Sequence, residues 1–411
     1  MCKPQNQKLA KQDLWIQKLD LDGFGKEMKE LGDRLYKQQG VEDAAHLAKM
    51  VNWSRAFTLL GLTTLWMYPN PFTVMMLSLG IFMRWTMIGH HTCHGGYENV
   101  KTAKAVGGPS TYKRFKFAWG TLYRRTIDWM DYMLPEAWDM EHNRTHHYKL
   151  GEDADPDLVE RNLSDLRESD TPLLIKYATV GFFMMTWKWF YYAPNTYKQL
   201  KFAELRRDGK MTKQIEAQQE DILTVKALFT GRIPWVTASE FVLRIVGPML
   251  VYNFILMPLP IYLLFGAQRY KYALINLVLA DIVTNIHAFI AIVTNHAGDD
   301  LYRFKTGCRA NTATFFLRAV VSSANFSSGT DFVDLWHGWL NYQIEHHAWP
   351  HLSMRSYQKA QPECEAICKK YGVPYVKHNV FWRLKKTVDI MVGNATMRKW
   401  PEGVVDETKF R

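Results

Sequence analysis

Eight histidines of this 411-residue chain fall into three short stretches: His90-His91-Thr-Cys-His94, His142-Asn-Arg-Thr-His146-His147 and Gln343-Ile-Glu-His346-His347. The third stretch lies within residues 336–351, where four histidines sit among Trp336, Trp339, Tyr342 and Trp349. Imidazole is the commonest metal-binding side chain, and iron is among the ions it suits. Residues three or four apart on a helix share a face, so each stretch offers at least two imidazoles to one ion. A single HxxxH is coincidence in most proteins. Three such clusters, beside or between apolar hairpins, point to one shared metal site. Zinc closes with four ligands, mostly His and Cys, and here histidines are too many and cysteine partners lack. Two six-coordinate irons with positions open to oxygen suit the set better. The Glu-x-x-His pattern of carboxylate di-iron bundles is absent. Haem would need paired axial histidines within apolar spans, and only His287 lies inside one.

Elements that position these clusters are legible as apolar runs. Residues 51–68 and 72–88 are two runs of near-spanning length, broken by Pro69-Asn70-Pro71, a strong turn signal. Residues 241–265 and 273–293 form a second pair, turning through 266–272. Arg269 and Lys271 in that turn run against the positive-inside bias, which the larger basic excess elsewhere outweighs. Two hairpins return the chain to its starting side, placing all three clusters on one membrane face, read as cytosolic. Before the first run, Leu14, Ile16, Leu19, Phe24, Met28, Leu31 and Leu35 recur at helical spacing, predicting an amphipathic helix on the membrane surface. Residues 173–193 carry Lys176 and Lys188 and read as an interfacial helix; residues 198–220 read as a solvated charged stretch. The predicted fold is an all-α integral membrane protein. Four transmembrane helices in two hairpins and interfacial helices support a cytosolic helical cap that carries the histidines. The predicted organisation is an amphipathic region at 1–50, the membrane domain at 51–390 and a tail at 391–411.

Composition agrees with this class. Trp 15, Tyr 20, Phe 22 and Met 19 are high counts, while a mean hydropathy of −0.24 leaves much of the chain in water. The net charge of +11 suits cytoplasmic segments near anionic headgroups, and no basic stripe accompanies a nucleic-acid-binding motif. Cys2, Cys93, Cys308, Cys364 and Cys368 are scattered and odd in number, so no disulfide framework is expected. Cys364 and Cys368 read as packing residues. The polar first 12 residues do not read as a signal peptide.

The three clusters, their order relative to the hairpins and their spacing resemble the membrane fatty acid desaturase superfamily. Gln343, where other branches carry His, is similar to the front-end acyl-lipid branch, as are Asn295-His296, Trp349-Pro350 and Tyr371-Gly372-Val373. The resemblance covers about residues 50–390. It implies an oxygen-dependent acyl desaturase with two iron ions held by His90, His94, His142, His146, His147, His296, His346 and His347. His91, Gln343, Asn295, Glu345, Asp153 and Asp155 are candidates for the layer that orients those ligands. His337 and His351 flank the third cluster, and His46 and His378 read as surface residues. The His-Pro-Gly-Gly haem motif of a fused cytochrome b5 is not found, so a separate donor, cytochrome b5 or ferredoxin, is expected. The substrate is a membrane lipid or acyl-CoA. The endoplasmic reticulum is the expected compartment, with a plastid or bacterial inner membrane as the alternative. Rival readings are a lipid hydroxylase or ketolase on the same scaffold, and a catalytically dead protein with structural zinc.

Overall fold

Asn70 and Pro71 show how the apolar runs become helices. The Asn70 side chain accepts from Thr73 N at 2.9 Å, and Pro71 occupies the first turn, where its missing N–H costs nothing. In this computed structural model, which describes residues 9–100, 112–219 and 221–401, almost every element is helical. Cys2 and residues 402–411 of the expected tail lie outside the described residues. Among those described, the one strand pair is parallel, Tyr302–Arg303 with Arg398–Lys399. Contacts divide the chain into a span unit, residues 44–144 and 178–289, and a terminal unit, residues 1–43, 145–177 and 290–411.

Three helices are long and apolar enough to cross a membrane: Pro71–Cys93, Ala238–Phe265 and Ala267–Asn295. The expected run at 51–68 is instead the C-terminal part of a helix, Val41–Thr64, whose 24 residues are long enough to cross but whose Glu42, Asp43, Lys49 and Arg55 keep it from being apolar enough. The second turn is also tighter than expected. Gly266, at φ 79°, makes it almost alone, and the helix resumes at Ala267 instead of Ala273.

Within the span unit the helices are joined by polar pairs, the cohesion that works where lipid removes a hydrophobic drive. Asn276 Nδ2 donates to the carbonyls of Leu65 and Met67, and Thr284 Oγ1 to Ser78 Oγ at 3.0 Å. Gly80 permits close approach, because a Cβ there would lie 2.3 Å from Thr58 Oγ1. Lys188, fully buried, pairs with Asp131 at 2.9 Å instead of reaching an interface. Lys198 is likewise buried, donating to Gln219 and Asp221 carbonyls, so the charged stretch is only partly solvated.

The terminal unit corrects the reading of the N-terminal helix. Leu21–Gln38 buries Phe24, Met28, Leu31 and Leu35 against Met354–Tyr371 and Ala313–Val321, so its apolar face meets protein and not lipid. Asp20 caps it and separates it from a short 3₁₀ turn at Lys11–Lys18. Gly25 fits because a Cβ would stand 2.3 Å from Ala313 Cβ.

Candidate metal centre

In the span unit, two of the histidine-bearing segments follow or contain π turns, local widenings common at functional sites. Met83–Gly89 is π-helical and delivers His90 and His94; Asp139–Asn143 is π-helical and contains His142. Asn143 Nδ2 joins them, donating to the Cys93 carbonyl at 2.9 Å and to Asp139 Oδ1 at 2.8 Å. His90 Nδ1 faces the Thr86 carbonyl at 3.2 Å, which directs its Nε2 inward. Trp138 stacks on His142 at 4.5 Å and presents its edge to His90 and His94. The ligand atoms of His90, His94 and His142 lie within 4.8 Å of one another, all buried.

One pair of these nitrogens gives a fit test. His90 Nε2 and His142 Nε2 are 3.1 Å apart. Imidazole nitrogens bound to one ion at about 2.1 Å stand about 3.0 Å apart at a right angle and about 3.4 Å apart at the tetrahedral angle. The observed spacing lies between the two values, so both rings can reach one ion. Burial first, then the neighbouring imidazoles, holds His94 well below the ordinary histidine value, so its ring is neutral and able to donate a lone pair.

In the terminal unit the ligand atoms of His146, His296 and His347 lie within 4.8 Å of one another. His147 and His346 stand against them, with ring centroids 4.3 Å from His147 to His347 and 4.7 Å from His147 to His346. Here side chains set the orientation. His146 Nδ1 donates to Asp155 Oδ1 at 2.8 Å, and Asp155 is itself fixed by the amides of Gly151 and Asp157. Burial pulls His146 down, but the Asp155 carboxylate outweighs it and raises the pKa. His346 Nδ1 meets the Tyr357 hydroxyl at 3.2 Å, while that hydroxyl donates to the Trp349 carbonyl. His296 is held well below its usual value, by burial first and then by His146 and Arg383.

Gln343 Nε2 is 3.0 Å from both His296 Nε2 and His347 Nε2. Asn295 Nδ2 donates to the Gln343 carbonyl oxygen at 3.3 Å, which turns the amide nitrogen toward the two rings. A cation on those two nitrogens would compete with the amide, and the amide turned over would offer its oxygen instead. Other expected residues stand elsewhere. Glu345 accepts from Asn325 and Tyr375 and braces the helix, with no bond to a ligand histidine. Asp153 pairs with Arg303. His91 Nδ1 faces the Met87 carbonyl at 2.8 Å and is not among the grouped ligands. His46, expected at the surface, is buried. His287 stacks on Phe82 at 3.8 Å, His337 meets the Val333 carbonyl, His351 packs on Tyr36 and His378 is exposed.

Sequence reasoning missed Trp138, Tyr357 and Arg383. Arg383 is fully buried and binds the carbonyls of Thr294 and Ala297 and the carboxylate of Asp300, clamping the segment that carries His296. An apolar helix pattern around Val380–Val392 hides it, and only its place inside that pattern marks it out.

Comparison with known proteins gives this geometry its context. An acyl-lipid (8-3)-desaturase of Physcomitrium patens is 29% identical over 162 residues, 38% of this chain and 33% of the relative. An acyl-lipid (9-3)-desaturase of the same moss is 28% identical over 102 residues, 25% of this chain and 18% of that one. An sn-1 linoleoyl-lipid 6-desaturase of Arthrospira platensis is 32% identical over 63 residues, 15% of this chain and 17% of its own. The chain thus matches no more than a third of the length of these relatives. No solved structure matches it. A family model described as fatty acid desaturase matches residues 71–379, from the first apolar span past the third histidine cluster, and the chain belongs to the fatty acid desaturase family.

Proposed function

We propose that the chain is an oxygen-dependent fatty acyl desaturase that introduces a double bond into a lipid-linked acyl chain. His90, His94, His142, His146, His147, His296, His346 and His347 would hold two irons. The observation that carries the reading is the gathering of buried imidazole nitrogens, those of His90, His94 and His142 within 4.8 Å of one another and those of His146, His296 and His347 likewise. When bound, the irons supply the oxidising chemistry that no side-chain acid or base can provide against an unactivated methylene pair. Two hydrogens leave the acyl chain, a donor gives two electrons, two protons are taken up, and dioxygen leaves as two waters.

The residues of the chain do the rest. Thr86 O, Asp155 and Tyr357 fix the Nδ1 side of His90, His146 and His346, leaving Nε2 as the donor atom. Asn295 orients Gln343, and Arg383 holds the turn bearing His296. Trp138, packed on His90, His94 and His142, excludes water from the donor atoms. In this reading the Val41–Thr64 helix is the fourth crossing, completing two hairpins. The electron donor is a separate acidic protein, cytochrome b5 or ferredoxin, attracted by the net charge of +11. The compartment is the endoplasmic reticulum.

The test is a fatty-acid profile after expression in yeast fed with saturated and polyunsaturated acids, with double bonds located by mass spectrometry beside a His346→Ala control. A new double bond that disappears in the control is the expected result. A hydroxylated product in its place, or a protein that binds zinc and no iron, would overturn the reading.

A further inference from the structure

The terminal unit contains a small cavity against two of its histidines. His147 and His347 line it together with Glu152, Arg318 and Cys308. Its volume of about 10 Å³ is the room of one water molecule. Phe315 and Ala319, on the Ala313–Val321 helix, supply an apolar wall. Tyr148, 49% exposed, and the half-buried Cys308 also line it, so the cavity approaches solvent on that side. A water in such a place needs about two to four polar partners. The Glu152 carboxyl, the Arg318 guanidinium and the two imidazoles are the groups that can serve.

Glu152 is held by the segments around it. The Phe304 amide donates to the Gly151 carbonyl at 2.7 Å, which lays residues 302–308 alongside Glu152. Arg318 NH1 donates to Glu152 Oε1 at 2.9 Å and to the Thr306 carbonyl at 2.6 Å, while the guanidinium lies 4.2 Å over the Phe304 ring. The carboxylate thus shares its arginine nitrogen with a carbonyl, a weaker hold than a bidentate fork. Burial pushes the Glu152 carboxyl up to about 7, against the pull of Arg318, Lys149 and the Cys308 amide, and the Asp155 carboxylate adds to the rise. Burial, with Glu152 beside it, pushes the Cys308 thiol up to about 11, so that group keeps its proton near neutral pH. A carboxylate that served only to anchor Arg318 would stay ionised there. Glu152 changes charge instead, and the cavity lies between it and the rings of His147 and His347.

We propose that Glu152 passes protons from solvent, through one water held in this cavity, to the metal centre past His147 and His347. The proposal rests on the desaturase reading and deepens it, because the protons that dioxygen takes up on its way to water must reach buried ligands. In each passage the Glu152 O–H breaks and an O–H forms on the cavity water, which gives up one of its own protons on the histidine side. The carboxylate left behind takes its next proton from solvent beside Tyr148 and Cys308, and two passages serve one turnover. No electron moves along this route; both come from the separate donor protein. Arg318 stabilises the carboxylate between passages, and Phe315 and Ala319 keep further water out.

The test is infrared spectroscopy of the purified, iron-loaded full chain over a pH series, beside turnover of the same samples. A protonated-carboxyl band should fade as the pH rises through about 7. It should be missing throughout in Glu152→Gln, which keeps the size of the side chain and an acceptor for Arg318. That variant should keep its iron and lower kcat about a hundredfold, with KM for the acyl substrate unchanged. In the native chain kcat should fall above about pH 7, where the proton-donating form is lost, and that limb should vanish in the variant. Ala319→Val fills the cavity and leaves Glu152 in place, so it tests the route if the Glu152 variant does not fold. It should keep the band and the iron and slow turnover as well. A Glu152 that stays ionised across the series, as a purely structural ion pair would, overturns the assignment. So does either variant if, folded and iron-loaded, it turns over at the native rate with the native pH profile. A native chain that makes no double bond breaks the desaturase reading, whatever the band shows. A chain that desaturates unchanged with Glu152 neutralised or the cavity filled breaks this proposal alone.

Discussion

In the span unit, His90, His94 and His142 take their positions from the backbone. Two π turns set the phase of the helices, a main-chain carbonyl fixes the His90 ring, and Trp138 packs on all three. In the terminal unit the corresponding work falls to side chains. His146 depends on Asp155, His346 on Tyr357, and Gln343 on Asn295. The contrast follows from what each unit is made of. The Pro71–Cys93 span already satisfies its own main chain, so at His90 a shift of register is the cheapest way to aim a ring, while His142 lies on the short 135–143 segment that Asn143 ties to the Cys93 carbonyl. The terminal unit presents its histidines from short segments, Gln343–Ala348 and His146–Tyr148 among them, that have too few turns to fix a side chain by helix geometry. Individual polar partners must hold them. Altered packing in the span unit should therefore cost stability more than metal, and in the terminal unit metal binding should follow the individual polar partners.

Removing a histidine from either unit is the harshest test of that symmetry. His142→Ala and His347→Ala should each abolish the product and lower bound iron, by more than the ~10- to 100-fold that losing an outer partner costs. Iron measured by plasma emission on the purified variants, with lipid analysis, checks this. If one variant kept its full iron and the other lost all of it, the two histidine sets would not hold equivalent ions.

Asp155→Asn comes next and belongs to the terminal unit alone. The asparagine keeps an acceptor oxygen for His146 and loses the charge. Iron affinity should fall about 10- to 100-fold. The sign of the titration makes the result informative. Asp155 raises the pKa of His146, so its loss lets that ring deprotonate at lower pH and reduces proton competition for the metal. Weaker iron binding in the variant, followed by titration against a chelator at several pH values, would then come from lost orientation and basicity. Tighter binding at low pH would mean that Asp155 only holds a proton.

These partners also mark how far the sequence could be read. Histidine clusters, apolar runs and the Pro69-Asn70-Pro71 turn are local patterns, and they place the site on three segments and the membrane on at least three helices. Asp155 was within reach for the same reason, lying a few residues past His146 in an acidic turn. Arg383 and Tyr357 were not, because Tyr357 meets His346 from 11 residues away and Arg383 holds the carbonyls on either side of His296 from about 90, separations that no periodicity records. The amphipathic Leu21–Gln38 helix misled in a different way. A hydrophobic stripe reports that a face is buried and is silent about whether protein or lipid covers it; Gly25 and Gly32, each placed for close approach to a neighbouring segment, were the signal for protein.

Trp138→Leu carries the comparison back to the span unit. Removing the indole deletes a stack on His142 and two edge contacts while no polar partner of a ligand is lost. Thermal stability in detergent should fall by about 2 kcal/mol. Iron per folded molecule should change less than about tenfold, because the π turns still aim the rings. A larger loss of iron at unchanged stability would show that the aromatic wall, and not the backbone, sets the ligand geometry.

Tyr357→Phe is the mildest test and the most discriminating for the terminal unit. The ring stays, its 5.7 Å edge contact with His346 stays, and only the hydroxyl between His346 Nδ1 and the Trp349 carbonyl is lost. The cost of one neutral hydrogen bond is about 1 kcal/mol, so iron affinity should drop roughly fivefold. Asp155→Asn and Tyr357→Phe act on different histidines through separate partners, and their effects on affinity should add within about 0.5 kcal/mol. Addition in a double variant would mean that each histidine of this unit is held by its own partner. Strong non-additivity would mean that the short segments move as one body, as the span helices do.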